Sequence, residues 1–290
     1  RKPHAILDGD GRIVTVLVGR PQKDSSGWDA LIRGVAELME AFRRTGDEES
    51  LFSGDQRQHR RGNFVALSRG ISYGGGQREP KNLAHGARLH QLLQDFVNEN
   101  SVKRIAGFQN CAFAAFAPKL YLHYVSKLRQ LYDDPRLNLV RNWPNSILPC
   151  ATFNFGPKTS TFLHTDPGNA AYGWCIVTAL GNFNHQVGGC LILPDLDVVC
   201  QIPSGSTYIT MSAILQHGNT SIQEDEARMS MTQYCAGGLL RWVANGGKVA
   251  KGSKVVYNHG ERVCEALSLL SKPSELSKDR EALFQARNNP

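Results

Sequence analysis

Leu163-His164-Thr165-Asp166-Pro167-Gly168-Asn169 is the stretch that decides the fold, read together with His217 and Arg228 further along the chain. His164, Asp166 and His217 supply two imidazoles and one carboxylate. That set holds one face of a non-haem Fe(II) ion and leaves the opposite face open to oxygen chemistry. Residues two apart on an extended strand point the same way, so His164 and Asp166 would share a face. The third ligand must then come from elsewhere in the fold. A chain with nine His among 290 residues contains some H-x-D by chance, so the motif needs its surroundings.

Those surroundings are specific. Arg228-Met229-Ser230 places a guanidinium and a hydroxyl on one face of the strand that follows His217. A buried Arg is costly unless a carboxylate pairs with it, and its planar fork fits a carboxylate with two hydrogen bonds. Gly188-Gly189-Cys190-Leu191-Ile192-Leu193 reads as a turn leading into a strand. Gln201-Ile202-Pro203-Ser204-Gly205-Ser206-Thr207-Tyr208-Ile209-Thr210 reads as strand, tight turn, strand. This order, closed by His217 and then Arg-x-Ser, is the one found in 2-oxoglutarate-dependent Fe(II) dioxygenases. The expected cofactors are therefore Fe(II), 2-oxoglutarate as co-substrate and O2. Three protein ligands leave three positions on the metal. A 2-oxo acid takes two of them while Arg228 and Ser230 hold its distal carboxylate. In this chemistry the iron ligands set geometry and do not act as bases.

At 290 residues and 41% hydrophobic, the chain can bury a substantial core as one large domain or as a domain with a helical annex. No run of roughly 18 apolar residues occurs, so no membrane span is expected. The chain begins with Arg1 and carries no signal-peptide pattern, so it is expected to be a trimmed sequence. The seven cysteines are scattered, odd in number and without a C-x-x-C pair. Reduced, buried thiols in an intracellular protein explain them better than disulfides, and no zinc site is expected.

The net charge of +7 is unevenly spread. Residues 51–110 hold nine Lys/Arg against four acids, and residues 241–262 hold five against one. Residues 150–240 run the other way, with two basics and six acids. Basic flanks around a mildly acidic centre suit a polyanion held by its backbone while one group enters the pocket. A solvated basic face without a partner fits the charge equally well.

Val14, Val16 and Val18 mark a strand over 12–19, and a helix starts near Ser26, spaced from Asp29 as a capping box. Residues 46–62 read as a loop, 63–73 as a strand, and 83–98 as a helix. The aromatics from Phe108 to Tyr132 recur at helical spacing around Pro118, as two helices meeting at a break, and are read as core. From Ser146 the texture turns to short strands separated by Gly, Pro and Asn. The expected fold is α+β: a double-stranded β-helix, jelly-roll-like, over 146–245, buttressed by the mainly helical residues 1–145. Residues 246–290 add a basic segment, a helix near 262–270 and a frayed polar end, all within a single catalytic domain.

Asn169 follows Asp166 by three residues, and its amide could reach the Watson–Crick edge of an extruded base. Tyr234, on the face of Arg228, could stack on that base. A turn-stabilising Asn and a core Tyr explain these two residues equally well. The 163–169 run, Ala171-Tyr172-Gly173-Trp174, and Arg228-Met229-Ser230-Met231-Thr232-Gln233-Tyr234 through Gly237-Gly238-Leu239-Leu240-Arg241-Trp242-Val243 resemble the TET/JBP family of DNA-base dioxygenases. The closest likeness is to its basidiomycete fungal branch. It spans roughly residues 60–245 and includes Gly70-Ile71-Ser72-Tyr73-Gly74-Gly75-Gly76-Gln77.

The resemblance implies that His164, Asp166 and His217 bind iron and that Arg228 and Ser230 bind 2-oxoglutarate. It implies that Asn169 and Tyr234 meet a flipped base of double-stranded DNA whose methyl group is oxidised. A nuclear, monomeric protein goes with that reading. Members that oxidise 5-methylcytosine commonly carry a His two positions beyond the stacking aromatic, where this chain has Ala236. That departure leaves N6-methyladenine open beside 5-methylcytosine. The Cys-rich zinc subdomain of the animal members is absent from this sequence.

Arg57, Arg60, Arg61 and Arg69, with Lys248, Lys251 and Lys254, are expected phosphate contacts. Gly75 and Gln77 belong to a glycine loop that could approach the DNA closely or move aside for a flipped base. Two other readings stand beside this one: an Fe(II)/2-oxoglutarate hydroxylase of a protein or small molecule, and a catalytically silent DNA-binding module.

Overall fold

A strand buried on both faces reads as apolar throughout, whereas a half-buried one alternates, and both patterns build the framework here. The computed structural model describes residues 2–23, 25–248 and 259–288. The first half contains β1 (His4–Leu7), β2 (Ile13–Gly19), α1 (Ser25–Glu48), α2 (Gly54–Arg57), β3 (Gln58–His59) and β4 (Gly62–Asn63). It continues through β5 (Ala66–Ser72), β6 (Lys81–Asn82), α3 (Ala87–Asn98), α4 (Asn100–Phe116) and α5 (Pro118–Tyr132). The second half runs β7 (Cys150–Asn154), β8 (Cys175–Asn182), β9 (Leu191–Leu193), β10 (Val198–Cys200), β11 (Thr207–Thr210), β12 (Gly218–Asn219) and β13 (Ala227–Tyr234). Helices α6 (Gly237–Ala244), α7 (His259–Ser268) and α8 (Leu276–Asn288) follow.

The large sheet is antiparallel in the order β1-β2-β11-β8-β13-β7-β5-β6. A small antiparallel sheet, β10-β9-β12, is extended by an isolated bridge between His164 and His217. Alternation along β8 separates two cores. Cys175, Val177 and Ala179 pack with Leu191, Leu193 and Cys200 of the small sheet. Leu180, Met229, Met231 and Phe153 face the other way, onto α1, α3 and α4. Two sheets closed over one interior, with helices behind the larger, make a double-stranded β-helix, and the site lies between the sheets.

Behind β13 the helices are locked by a buried polar network. Gln109 donates to Thr178 Oγ1 and to the Met231 carbonyl, both at 2.9 Å. Gln233 donates to Gln109 Oε1 at 2.9 Å and to the Ala106 carbonyl at 3.1 Å, and accepts from Ser146 Oγ at 2.7 Å. Every amide group of the pair is thereby used, so the network fixes α4 against the strand that carries Arg228 and Tyr234.

Several boundaries differ from the sequence reading. Helix α1 begins at Ser25, so Ser26 lies inside it rather than capping it. The expected loop at 46–62 contains the end of α1, the turn of helix α2 and the β3–β4 hairpin. β2 and β5 fall on the strands expected over 12–19 and 63–73, and with β1 and β6 they extend the large sheet at both edges.

The last strand ends at Tyr234, and the stretch expected to finish the barrel is α6. That helix can start there because Gly238 has no Cβ, which would run into the carbonyl oxygen of Tyr73. The polar C-terminal end is helical too. Few apolar residues mark α8, but Lys119 pairs with Glu275 at 3.1 Å and Arg280 donates to the Ala115 carbonyl at 2.6 Å. Among the seven free cysteines, Cys111 and Cys264 are exposed rather than buried. No helix among the described residues is long and apolar enough to cross a membrane.

Phe153 anchors the helix-facing core. It is fully buried and meets Phe96 edge-on at 5.0 Å between centroids. Phe153→Ala should cost about 3–5 kcal/mol of stability. Urea unfolding should show this as a lower midpoint at unchanged slope.

Candidate metal and co-substrate centre

His164 and His217 are joined by a reciprocal backbone bridge: His164 N–H donates to the His217 carbonyl at 3.0 Å, and His217 N–H returns the bond at 2.9 Å. The bridge sets their rings 4.3 Å apart between centroids. Asp166 is placed by its own N–H, which donates to the Ser212 carbonyl at 2.7 Å. Its Oδ1 lies 3.7 Å from His164 Nε2 and its Oδ2 lies 3.7 Å from His217 Nε2. One donor atom from each residue falls within 4.8 Å of the others, the spacing of a shared metal ion.

The same local geometry serves both imidazoles. His164 Nδ1 meets the Phe162 carbonyl at 2.7 Å, and His217 Nδ1 meets that of Leu215 at 3.0 Å, each two residues back in sequence. A carbonyl requires N–H at Nδ1, which leaves the Nε2 lone pair for a metal. Burial, followed by the neighbouring His217, pushes His164 down to about 4, so it is neutral at physiological pH. Neutral imidazole is the ligand form.

Beyond this triad lies a small cavity of about 40 Å³, lined by Arg228, Ser230, Tyr208, Asn219 and Thr161 among others. Arg228 is 1% exposed. It donates to the Thr159 carbonyl at 2.7 Å, its Nε has no partner, and no carboxylate pairs with it among the described residues. Burial presses its pKa below the usual guanidinium value, yet Arg keeps its charge. An unpaired buried cation costs several kcal/mol, so the site calls for an anion. Ser230 Oγ accepts from Asn154 Nδ2 at 2.8 Å, leaving the hydroxyl proton free to donate to the same anion. A dicarboxylate with one end at the metal and the other at Arg228 satisfies both orphans. Asn154 and Tyr208, both buried around this cavity, escaped the sequence reading because neither belongs to a motif.

On the outer side of Asp166 opens a cleft of about 400 Å³. Asp166, Arg61, Cys175 and Thr232 line both spaces, so the metal face looks from one into the other. Asn169 and Tyr234 both line the cleft. Asn169 Nδ2 donates to Ser212 Oγ at 3.1 Å. The Tyr234 hydroxyl accepts from Thr152 Oγ1 at 3.3 Å, and burial pushes this phenol well up. Gln77 lines the mouth and donates to Ser72 Oγ at 3.4 Å. Gly75 sits beside it in a run, Gly74 to Gly76, whose positive φ values only glycine adopts readily.

The basic residues fall in different places. Arg60 and Arg61 line the cleft. Arg57 instead pairs with Asp47 at 2.6 Å and lies over the Phe52 ring, against α1. Arg69 donates to Gln94 at 2.6 Å. Lys248 is described and exposed, while Lys251 and Lys254 lie outside the described residues.

No protein-family model matches this sequence, and no curated protein matches it. Solved structures do align with this chain. The structure of NgTET1 in complex with 5mC DNA aligns with a TM-score of 0.54 at 18% identity, over 81% of this chain and 77% of that one. A 2OG-Fe(II) oxygenase family oxidoreductase from Burkholderia pseudomallei aligns at 0.33 and 14% identity, over 74% and 94%. OsALKBH1 aligns at 0.34 and 13%, over 69% and 91%. The fold, the His-Asp-His donor set and the orphaned guanidinium together have the make-up of a site for Fe(II) and 2-oxoglutarate.

Arg228→Met removes the anchor while keeping a side chain of similar length. The metal-free variant should stay within about 1 kcal/mol of the parent, because a lost hydrogen bond is offset by a lost buried charge. With Mn(II) present, 2-oxoglutarate should raise the melting temperature of the parent but not of the variant.

Proposed function

We propose that this chain oxidises the methyl group of a methylated base in double-stranded DNA, taking the base out of the duplex into the outer cleft. The observation that carries the reading is the cleft itself. It is about 400 Å³, shares Asp166 with the metal centre, and is lined by two side-chain amides (Gln77, Asn169), two tyrosines (Tyr73, Tyr234) and two guanidiniums. A flipped base needs such a pocket: a ring to stack on, a polar side chain for its Watson–Crick edge, and cations for the flanking phosphates. NgTET1, similar in fold, was solved with 5mC DNA, which supports a methylated-base substrate.

In this reading the chain's own groups do the positioning. Arg228 and Ser230 hold the distal carboxylate of the co-substrate, and the triad holds the iron. Bound together, iron, 2-oxoglutarate and O2 oxidise a C–H bond and release succinate and carbon dioxide. Tyr234 stays a neutral phenol, so its ring offers an uncharged stacking face. The Asn169 amide addresses the base edge and orients the methyl group toward the metal. Oxidation of 5-methylcytosine gives 5-hydroxymethylcytosine and further products. Oxidation of N6-methyladenine gives an unstable hydroxymethyl adduct whose N–C bond breaks to leave the free amine on the base and release formaldehyde. Ala236 lines the cleft without a side-chain donor, which leaves room for either ring. The reading carries with it a monomeric protein acting in the nucleus.

Purified protein with Fe(II) and 2-oxoglutarate should convert 5-methylcytosine or N6-methyladenine in duplexes of matched sequence, as read by mass spectrometry of digested DNA. His164→Ala should abolish conversion while leaving salt-sensitive DNA binding. No new or lost base on either duplex would sink the proposal. Asn169→Ala and Tyr234→Ala should each lower turnover by roughly tenfold or more at unchanged 2-oxoglutarate affinity, the scale of one lost stacking or edge contact.

A further inference from the structure

Arg60 and Arg61 form the two-residue turn of the β3–β4 hairpin, in which Gln58 pairs with Asn63 and His59 with Gly62. The hairpin tip is mounted on the metal-binding segment, because Phe162 N–H donates to the Arg61 carbonyl at 2.8 Å. From this tip Arg60 donates to the Thr165 carbonyl at 2.7 Å and to Asp166 Oδ1 at 3.1 Å. One oxygen of the ligand carboxylate therefore carries a guanidinium, while Oδ2 meets none among the described residues. The Arg60 side chain is also 55% exposed and lines the outer cleft. One planar group thus faces both the metal's carboxylate and whatever enters the cleft.

We propose that Arg60 is a positioning residue that ties occupancy of the outer cleft to the carboxylate that holds the metal. A charge-assisted bond to Oδ1 fixes the rotamer of Asp166 and favours binding of the metal through Oδ2 alone. The bond to Thr165 tethers the guanidinium when its other N–H groups are engaged. An acceptor on the substrate, such as a base carbonyl, a ring nitrogen or a phosphate oxygen, competes for those N–H groups. Substrate entry then alters the grip on Asp166, and the metal centre responds to an occupied cleft. Lys can reach one acceptor but cannot span both with a planar fork. This inference rests on the metal-centre reading above and, for its second readout, on the proposed substrate.

The test compares the parent with Arg60→Ala and Arg60→Lys, by two measurements. The first is Mn(II) affinity from the electron paramagnetic resonance of free Mn(II), with no turnover involved. The second is the ratio of succinate formed to methyl groups oxidised, with and without DNA. Arg60→Ala should bind Mn(II) roughly tenfold more weakly, as removal of a group that orients a metal ligand does. It should also form more succinate per oxidised base, with Arg60→Lys in between. Unchanged or tighter Mn(II) binding by Arg60→Ala, whatever happens to DNA affinity, would overturn the inference. A parent that fails to bind Mn(II) would overturn the metal-centre reading along with it. A parent that binds Mn(II) but oxidises no base would sink only the substrate, and the Mn(II) comparison would still decide the role of Arg60.

Discussion

Two backbone hydrogen bonds between His164 and His217, at 3.0 and 2.9 Å, join segments far apart in the chain and set the geometry of the centre. Because the bridge is made by main-chain groups, the separation of the imidazoles follows from strand pairing rather than from flexible side chains. The carbonyls of Phe162 and Leu215 then turn both rings the same way. Asp166 is added two residues on by its bond to Ser212. The spacing of the three donor atoms is thus set by main-chain pairing within the small sheet and by the approach of Asp166 to the segment after β11.

The large sheet does a second task through its register. Ser230 stands opposite Ala179 on one side and Asn154 on the other, and Arg228 stands opposite Gly181. Small neighbours leave space above Arg228 for a ligand, and Asn154 is near enough to orient the Ser230 hydroxyl. The buried Gln109–Gln233 network behind the strand allows no freedom to shift that register. A slip by one residue would turn Arg228, Ser230, Thr232 and Tyr234 into the helix-facing core, where their polar groups would lack partners.

Charge shows most clearly how far sequence reasoning reaches. The basic excess over residues 51–110 suggests one phosphate-binding face. In the folded chain Arg57 is paired with Asp47, Arg88 with Glu49 and Arg69 with Gln94, while Arg60 and Arg61 turn inward to the cleft. Counting charges cannot separate these fates, because each partner comes from a different element. The hairpin that redirects Arg60 and Arg61 has strands of two residues, too short for any periodicity to reveal. Helix α8 was hidden for a related reason: among the described residues only Leu276 and Leu283 join it to the core, and ion pairs from Lys119 to Glu275 and Asp279, with a carbonyl bond from Arg280, add to them.

The amino-acid order alone determined the chemistry available: an H-x-D pair, a later His and an Arg-x-Ser, set among short strands punctuated by glycine and proline, with helices before them. Local pattern suffices there, because ligand type and strand alternation are properties of neighbouring residues. Only the tertiary structure decided that the three ligands meet, that Arg228 is buried without a counter-charge among the described residues, that Asn154 and Tyr208 join the co-substrate cavity, and that Arg60 reaches Asp166. Each of these depends on the approach of segments distant in sequence, and desolvation and pairing exist only once the two sheets have closed.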